Sequence, residues 1–252
     1  METLYQKHES LKAMELDPTV RKELIQKISG TLNPGLKYKR TLKVAAWELT
    51  IRLSYLLKRG LDLVVSITAL ILLFPLLLLT ALAIWIENPG PIFYVQTRVG
   101  QNGKHFRFYK FRSMVLNADA IKESLSKQNE SAAGVIFKMK KDPRITRTGR
   151  IIRKLSIDEL PQLVNVLKGD MSLVGPRPPL PNEVAEYTLE QRKRLHIIPG
   201  ITCLWQVSGR SDIPFTDQVR LDLQYIQSAG IGNDLILLLK TIPAVIIGKG
   251  AY

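Results

Sequence analysis

"LVVSITALILLFPLLLLTALAIWI", residues 63–86, decides the fold, because it runs 24 residues without a charge. At about 1.5 Å per residue, a straight helix of that length crosses a hydrocarbon core of about 30 Å. The stretch therefore reads as a membrane segment rather than a buried core helix. It follows a long, mostly polar leader and precedes no small-residue cleavage site, so it is not a signal peptide. Pro75 stands at its middle. Proline lacks the backbone donor and its ring clashes with the carbonyl four residues back, so a break is expected at Phe74-Pro75. Lys43, Arg52, Lys58 and Arg59 precede the segment; Arg98, Lys104, Arg107, Lys110 and Arg112 follow it. Basic flanks favour the cytoplasmic side. A helix that enters and leaves by the same leaflet satisfies both flanks. A simple span with one basic flank outside is the alternative.

Working outward, three regions follow: 1–57, 58–87 and 88–252. The first is an amphipathic helical extension. "TVRKELIQKISGTL" (19–32) places Val20, Leu24, Ile25 and Ile28 on one stripe, and "NPG" at 33–35 interrupts it. "TLKVAAWELTIRLSYLLKRG" (41–60) mixes apolar and basic residues in a pattern suited to a headgroup layer, or equally to packing on a soluble domain. The second region is the re-entrant helix-break-helix. The third reads as a small cytosolic catalytic domain of α+β class, mostly helical with short strands. Its "IFYVQTRVGQNGKHFRFYKFRSM" (92–114) is a hairpin turning at Gln101-Asn102-Gly103. Helices are expected at 117–128, 156–169, 188–195 and 214–230. "MSLV" is a short apolar run before a proline-stiffened loop, and "GITCLWQVSG" (200–209) reads as a strand. The terminal "NDLILLLKTIPAVIIGKG" (233–250) is apolar enough to touch a membrane surface.

Lys and Arg number 36 against 22 Asp and Glu, a net charge of +14, which calls for an anionic partner. Nucleic acid, anionic lipid and phosphorylated substrates all qualify, but no nucleic-acid module is recognisable. The single cysteine, Cys203, excludes an intramolecular disulfide and reads as a small buried residue. His8, His105 and His196 are scattered without metal-ligand spacing, which argues against a zinc hydrolase.

"RKLSIDELPQL" (153–163) carries adjacent acids, Asp158 and Glu159. Ser156-x-x-Glu159 fits a capping box, and acids in a first helical turn suit the helix dipole. The chemical alternative rests on their neighbours: Arg144, Arg147, Arg150, Arg153, Lys154 and Arg177. Guanidinium groups bind phosphate oxygens in bidentate fashion. Consecutive helical residues do not face one another, so the acids would divide their roles rather than share a proton. Acids among arginines beside a membrane segment point to phosphoryl chemistry on a phosphorylated lipid.

The runs 58–114, "IRKLSIDELPQLVNVLKGDMSLVGPRP" (152–178) and "PGITCLWQVSGR" (199–210) together resemble the bacterial sugar transferases, the monotopic phosphoglycosyl transferases that act on polyprenyl phosphate. The resemblance covers the chain from about Lys58 to the C-terminus. Two positions depart from the family pattern: Phe74 where serine is frequent before the proline, and Cys203 where glycine is usual. The resemblance implies transfer of a sugar-1-phosphate from a UDP-sugar to undecaprenyl phosphate with release of UMP. This would be the first membrane step of exopolysaccharide, capsule, O-antigen or glycoprotein glycan synthesis, at the cytoplasmic face of the bacterial inner membrane. It further implies Asp158 as nucleophile, a covalent aspartyl phosphosugar, and Mg²⁺ held by Glu159 with Asp158. Arg153 and Arg177 are the leading phosphate and nucleotide ligands, followed by Arg210, Lys110 and Arg112. The competing reading is a non-catalytic, membrane-tethered basic binding or scaffold protein for polysaccharide assembly. Oligomeric state is left open, a dimer being one option.

Overall fold

The computed structural model describes residues 34–118, 120–121 and 142–247. The stripe at 19–32 and most of the helix expected at 117–128 lie outside those residues. The chain divides into two compact units, Met1–Arg59 and Gly60–Tyr252. Helix α1, Pro34–Leu72, begins in the first unit and ends in the second. Proline at its start costs no hydrogen bond, since the first amides of a helix have no partner within it. Everything below concerns the second unit.

Helix α2, Phe74–Glu87, follows α1 after Leu73 alone, and the two axes are bent by 61°. The ladder continues on either side of the bend, with Leu73 N donating to Ala69 O and Leu77 N to Leu73 O, both at 2.9 Å. Between them stands Pro75, which has no amide to give and whose ring displaces the carbonyl of Ile71. The break thus falls one residue before Phe74-Pro75. Among the described residues no single helix is long and apolar enough to cross a membrane; the bent pair qualifies together on length and composition.

One face of the pair is packed and the other is bare. Val65, Ala69 and Leu70 lie against the main core, where Phe108, Val166, Met171 and Val174 are almost wholly buried. Each such side chain contributes about 1.5–3 kcal/mol. Leu77, Ala81 and Ile84 pack with Phe111 and Ile152. Opposite them, Ile71, Leu72, Phe74, Leu78, Leu79 and Ile86 are each 60–72% exposed. A continuous apolar face of this kind belongs against lipid or another protein rather than water. Asp62, buried just before the uncharged run, fastens α1: its Oδ1 accepts from Ser172 Oγ (3.1 Å) and Leu173 N (3.0 Å).

The hairpin forms as expected. Strands β1, Phe93–Val99, and β2, His105–Phe111, pair antiparallel with Gln96 opposite Phe108 and Tyr94 opposite Lys110. Asn102 (φ 55°) and Gly103 (φ 79°) supply the left-handed residues the turn needs. Then come α3 (Arg147–Lys154), a 3₁₀ turn at Ile157–Glu159, α4 (Gln162–Lys168) and β3 (Ser172–Val174). Short helices α5 (Pro181–Ala185) and α6 (Leu189–Arg192) lead to β4 (Gly200–Thr202), then α7 (Phe215–Ser228) and α8 (Ile231–Ile247). β3 and β4 are parallel, with Val174 opposite Thr202. Their approach demands glycine: a Cβ on Gly200 would lie 2.0 Å from Gly175 N. That explains the glycines of "VGPRP" and "PGI".

Two expectations are corrected. "GITCLWQVSG" is a strand only at Gly200–Thr202 and turns thereafter. The helix expected from Ser156 to Gly169 begins only after Pro161, and the capping box does not form. Ser156 sits at φ 55°, outside any cap geometry, and its side chain makes no cap hydrogen bond. Pro161 separates the 3₁₀ turn from α4 because it cannot donate back into the preceding turn.

Candidate active site

Alternation along β2 puts Phe106, Phe108 and Lys110 on one face. Lys110 Nζ lies 2.7 Å from Glu159 Oε1 and 3.7 Å from Asp158 Oδ2. Arg177 Nη1 reaches the same Glu159 Oε1 at 3.2 Å. The acids stand on a 3₁₀ turn rather than an α-helix, so both carboxylates reach one ammonium instead of diverging.

Several devices hold this turn. Asn165, fully buried in α4, donates through Nδ2 to Arg107 O (2.6 Å) and accepts at Oδ1 from Tyr109 N (3.2 Å), tying the helix to β2. On the other side, α3 is capped twice. Thr146 Oγ1 accepts from Gly149 N (2.9 Å), while the Glu87 carboxylate accepts from Arg147 N (2.7 Å) and Thr148 N (2.8 Å). The end of α2 is thereby joined to the helix that leads into the acids. Gly149 is required where α3 crosses β2's extension, since a Cβ there would fall 2.0 Å from Ser113 O. Ser156 and Arg210, both near φ 54°, meet across the site, Arg210 Nη2 donating to Ser156 Oγ at 3.3 Å. Left-handed backbone at a non-glycine costs about 1–3 kcal/mol and collects where geometry serves function.

A cavity of about 930 Å³ gathers the residues singled out in the sequence: Asp158, Glu159, Lys110, Arg112, Arg153, Arg177 and Arg210 all line it. They differ in their engagements. The Arg153 side chain lines the cavity with no ion pair or hydrogen bond among the described residues. Arg112 is buried and turns a guanidinium N–H to the Asn88 carbonyl, clamping the turn after α2. Arg144 is spent on Asp142 (2.6 Å), and Arg147 and Arg150 do not line the cavity. The break between α1 and α2 opens on the same space, which Leu73 and Leu76 line beside Phe93 and Val95 of β1.

The two acids are driven apart electrically. Burial pushes the Asp158 carboxyl above the usual carboxylate range, and Lys110 offsets only part of that. Glu159 is buried too, but Lys110 and Arg177 together more than reverse the effect and hold it ionised. Arg177, despite its own burial, is kept charged by Glu159. Neighbouring groups pushed in opposite directions are the usual sign of divided roles. Among the described residues no three His, Cys, Asp or Glu side chains converge as a metal cage. Mg²⁺ ordinarily takes one or two carboxylates and completes its shell with water and substrate phosphates. Two carboxylates on one wall of a cation-lined cavity suit that donor set.

Sequence reasoning missed Asp62, Glu87, Arg98 and Asn165. Asp62 and Glu87 were legible as the acids that border the uncharged run on either side. Arg98 looked like one flank charge among several; its place on the cavity wall depends on pairings far along the chain.

Residues 53–248 match the family model described as bacterial sugar transferase, and the chain belongs to that family. It is 52% identical over 166 residues to the galactosyl transferase CpsE of Streptococcus agalactiae, covering 66% of this chain and 37% of that protein. It is 41% identical over 198 residues to the exopolysaccharide production protein ExoY of Sinorhizobium fredii, covering 77% and 88%. With the undecaprenyl-phosphate galactose phosphotransferase of Salmonella typhimurium it shares 45% over 207 residues, 80% of this chain and 43% of that protein. The chain thus spans most of ExoY but less than half of the other two.

Proposed function

We propose that this sugar transferase moves a sugar-1-phosphate from a UDP-sugar to undecaprenyl phosphate at the cytoplasmic face of the bacterial inner membrane. One observation carries the reading: a single cavity is lined both by Asp158, Glu159 and their cations and by the apolar break of the membrane helix. A phosphorylated donor and a lipid phosphate can meet there. The relatives' names, with undecaprenyl phosphate as carrier and galactose as cargo, support the substrate class.

In the first step an oxygen of Asp158 attacks the sugar-bearing phosphorus. The bond from that phosphorus to the bridging oxygen breaks, and UMP departs with the electron pair. In the second step an oxygen of undecaprenyl phosphate attacks the same phosphorus and the Asp158 carboxylate leaves intact, giving an undecaprenyl diphosphosugar. This is nucleophilic catalysis by a carboxylate. Burial suits Asp158 to the role, because a more basic carboxylate is the better nucleophile once ionised. Lys110, Arg153 and Arg177 neutralise the phosphoryl oxygens, the main requirement of such transfers. Mg²⁺, held by Glu159 with Asp158, would add Lewis-acid neutralisation of the diphosphate. The bent helix pair enters and leaves by one leaflet, setting the acids at headgroup depth.

The test is UMP release from a panel of UDP-sugars by purified protein with undecaprenyl phosphate and Mg²⁺, beside Asp158→Asn. Release confined to the unmodified protein supports the scheme. Equal release by both removes Asp158 as nucleophile.

A further inference from the structure

Arg98 lies at the end of β1 with its guanidinium largely out of solvent and lining the catalytic cavity. Nη1 donates to Pro178 O (3.1 Å), Nη2 donates to Gln96 Oε1 (2.9 Å), and the group stands 5.3 Å from the centre of the Phe108 ring. Every partner is neutral. Among the described residues no carboxylate forms an ion pair with Arg98, and its Nε–H is buried without an acceptor. Nearby charge is mixed: Arg177, directly before Pro178, and Lys110, 5.5 Å from the same Phe108 ring, are cationic, while Glu183 and Glu159 attract Arg98 without forming an ion pair. Burial first, then Arg177, brings its pKa down to about 10, which still leaves it cationic at neutral pH.

A largely desolvated charge with no direct ion pair and with a buried donor unfilled is costly, and native structures seldom keep one without a use. The other cavity arginines show the contrast. Arg177 already pairs directly with Glu159, whereas Arg98 has no ion-pair partner and keeps its Nε–H unspent. Arg98 is also fixed to the loop that carries Arg177: its Nη1 holds Pro178, and Val99 N holds Pro179 O at 3.0 Å. The two guanidiniums therefore keep a constant relation, and Arg177 is the one bound to the acids.

We propose that Arg98 is an anion ligand of the cavity that binds the nucleotide-side phosphate of the donor, the phosphate that leaves as UMP. This rests on the donor being a nucleoside diphosphosugar, as set out above. With the sugar-bearing phosphorus at Asp158, the second phosphate extends past Arg177 toward Arg98, whose planar fork suits phosphate oxygens.

The experiment is calorimetric binding of uridine, UMP and inorganic pyrophosphate to the full chain in lipid nanodiscs, for wild type, Arg98→Ala and Arg98→Gln. The Gln variant retains an amide donor for Pro178 O while losing the charge. The proposal expects UMP and pyrophosphate affinity to fall tenfold or more in both variants, with uridine affinity unchanged. UMP binding unaltered by either substitution overturns it. A parallel fall for uridine and UMP also overturns it, since that marks a loop-supporting role alone. Should the variants not fold, the wild-type Arg98 Nε–H resonance decides: it shifts on adding UMP and not uridine, or the proposal is wrong. Turnover keeps the two ideas separate. UMP release that persists with Arg98 lacking any effect on UMP binding defeats this inference only, while absence of turnover in wild type defeats the functional reading.

Discussion

Replacing Lys110 by methionine tests the electrostatic design of the site. The ammonium lies 3.7 Å from Asp158 Oδ2 and 2.7 Å from Glu159 Oε1. At an effective dielectric of about 20, the first separation corresponds to about 4–5 kcal/mol of attraction. Lys110 keeps 19% of its side chain in solvent, which screens the pair and leaves only part of that attraction to hold the Asp158 pKa down. The sign follows from the chemistry. Asp158 attacks as carboxylate, its folded pKa is raised by burial, and Lys110 works against that rise. Activity is therefore lost as pH falls through a value above the ordinary aspartate range, and removing Lys110 moves that acid limb higher still. Glu159 keeps Arg177 and stays ionised, adding repulsion in the same direction. The assay is kcat/KM for the UDP-sugar against pH, followed by UMP release. An acid limb that stays in place, or moves to lower pH, refutes the assignment of Asp158 as the buried nucleophile governed by Lys110.

Other expectations follow from the same geometry. Asn165→Ala strands the Tyr109 amide and the Arg107 carbonyl in the interior and should cost about 2–5 kcal/mol, read as a lower thermal midpoint in detergent. Gly200→Ala, which sets a Cβ 2.0 Å from Gly175 N, should abolish folded protein, whereas Gly103→Ala meets no atom and should cost only turn strain. Glu87→Ala removes the acceptor for two α3 amides; a loss of about 1 kcal/mol is expected in unfolding measurements. Cysteines placed singly at residues 58 and 104 should both resist an impermeant thiol reagent added outside intact cells; labelling of either one indicates a simple span.

Some of this was open to reading from the chain alone, and the reasons are local. The hairpin follows from alternating residues closed by Asn102 and Gly103, which adopt left-handed backbone at little cost. The break between α1 and α2 follows from one proline in an uncharged run. The start of α4 was misread because Ser156 and Glu159 have capping-box spacing, yet each is claimed from elsewhere. Arg210, 54 residues on, donates to Ser156, and Lys110, 49 residues back, takes the Glu159 carboxylate. A spacing rule sees only neighbours along the chain.

Residue order alone settled the long uncharged apolar run, the presence of a break beside its proline, the excess of cationic charge and the adjacency of the two acids, because each depends on covalent neighbours or on composition. Tertiary structure alone decided which cations serve which acid, that burial raises the Asp158 pKa while Glu159 stays charged, and that Arg98 stands on the cavity wall without an ion pair. Those outcomes depend on burial and on distances of a few ångströms between distant residues, and electrostatic energy changes steeply over that range.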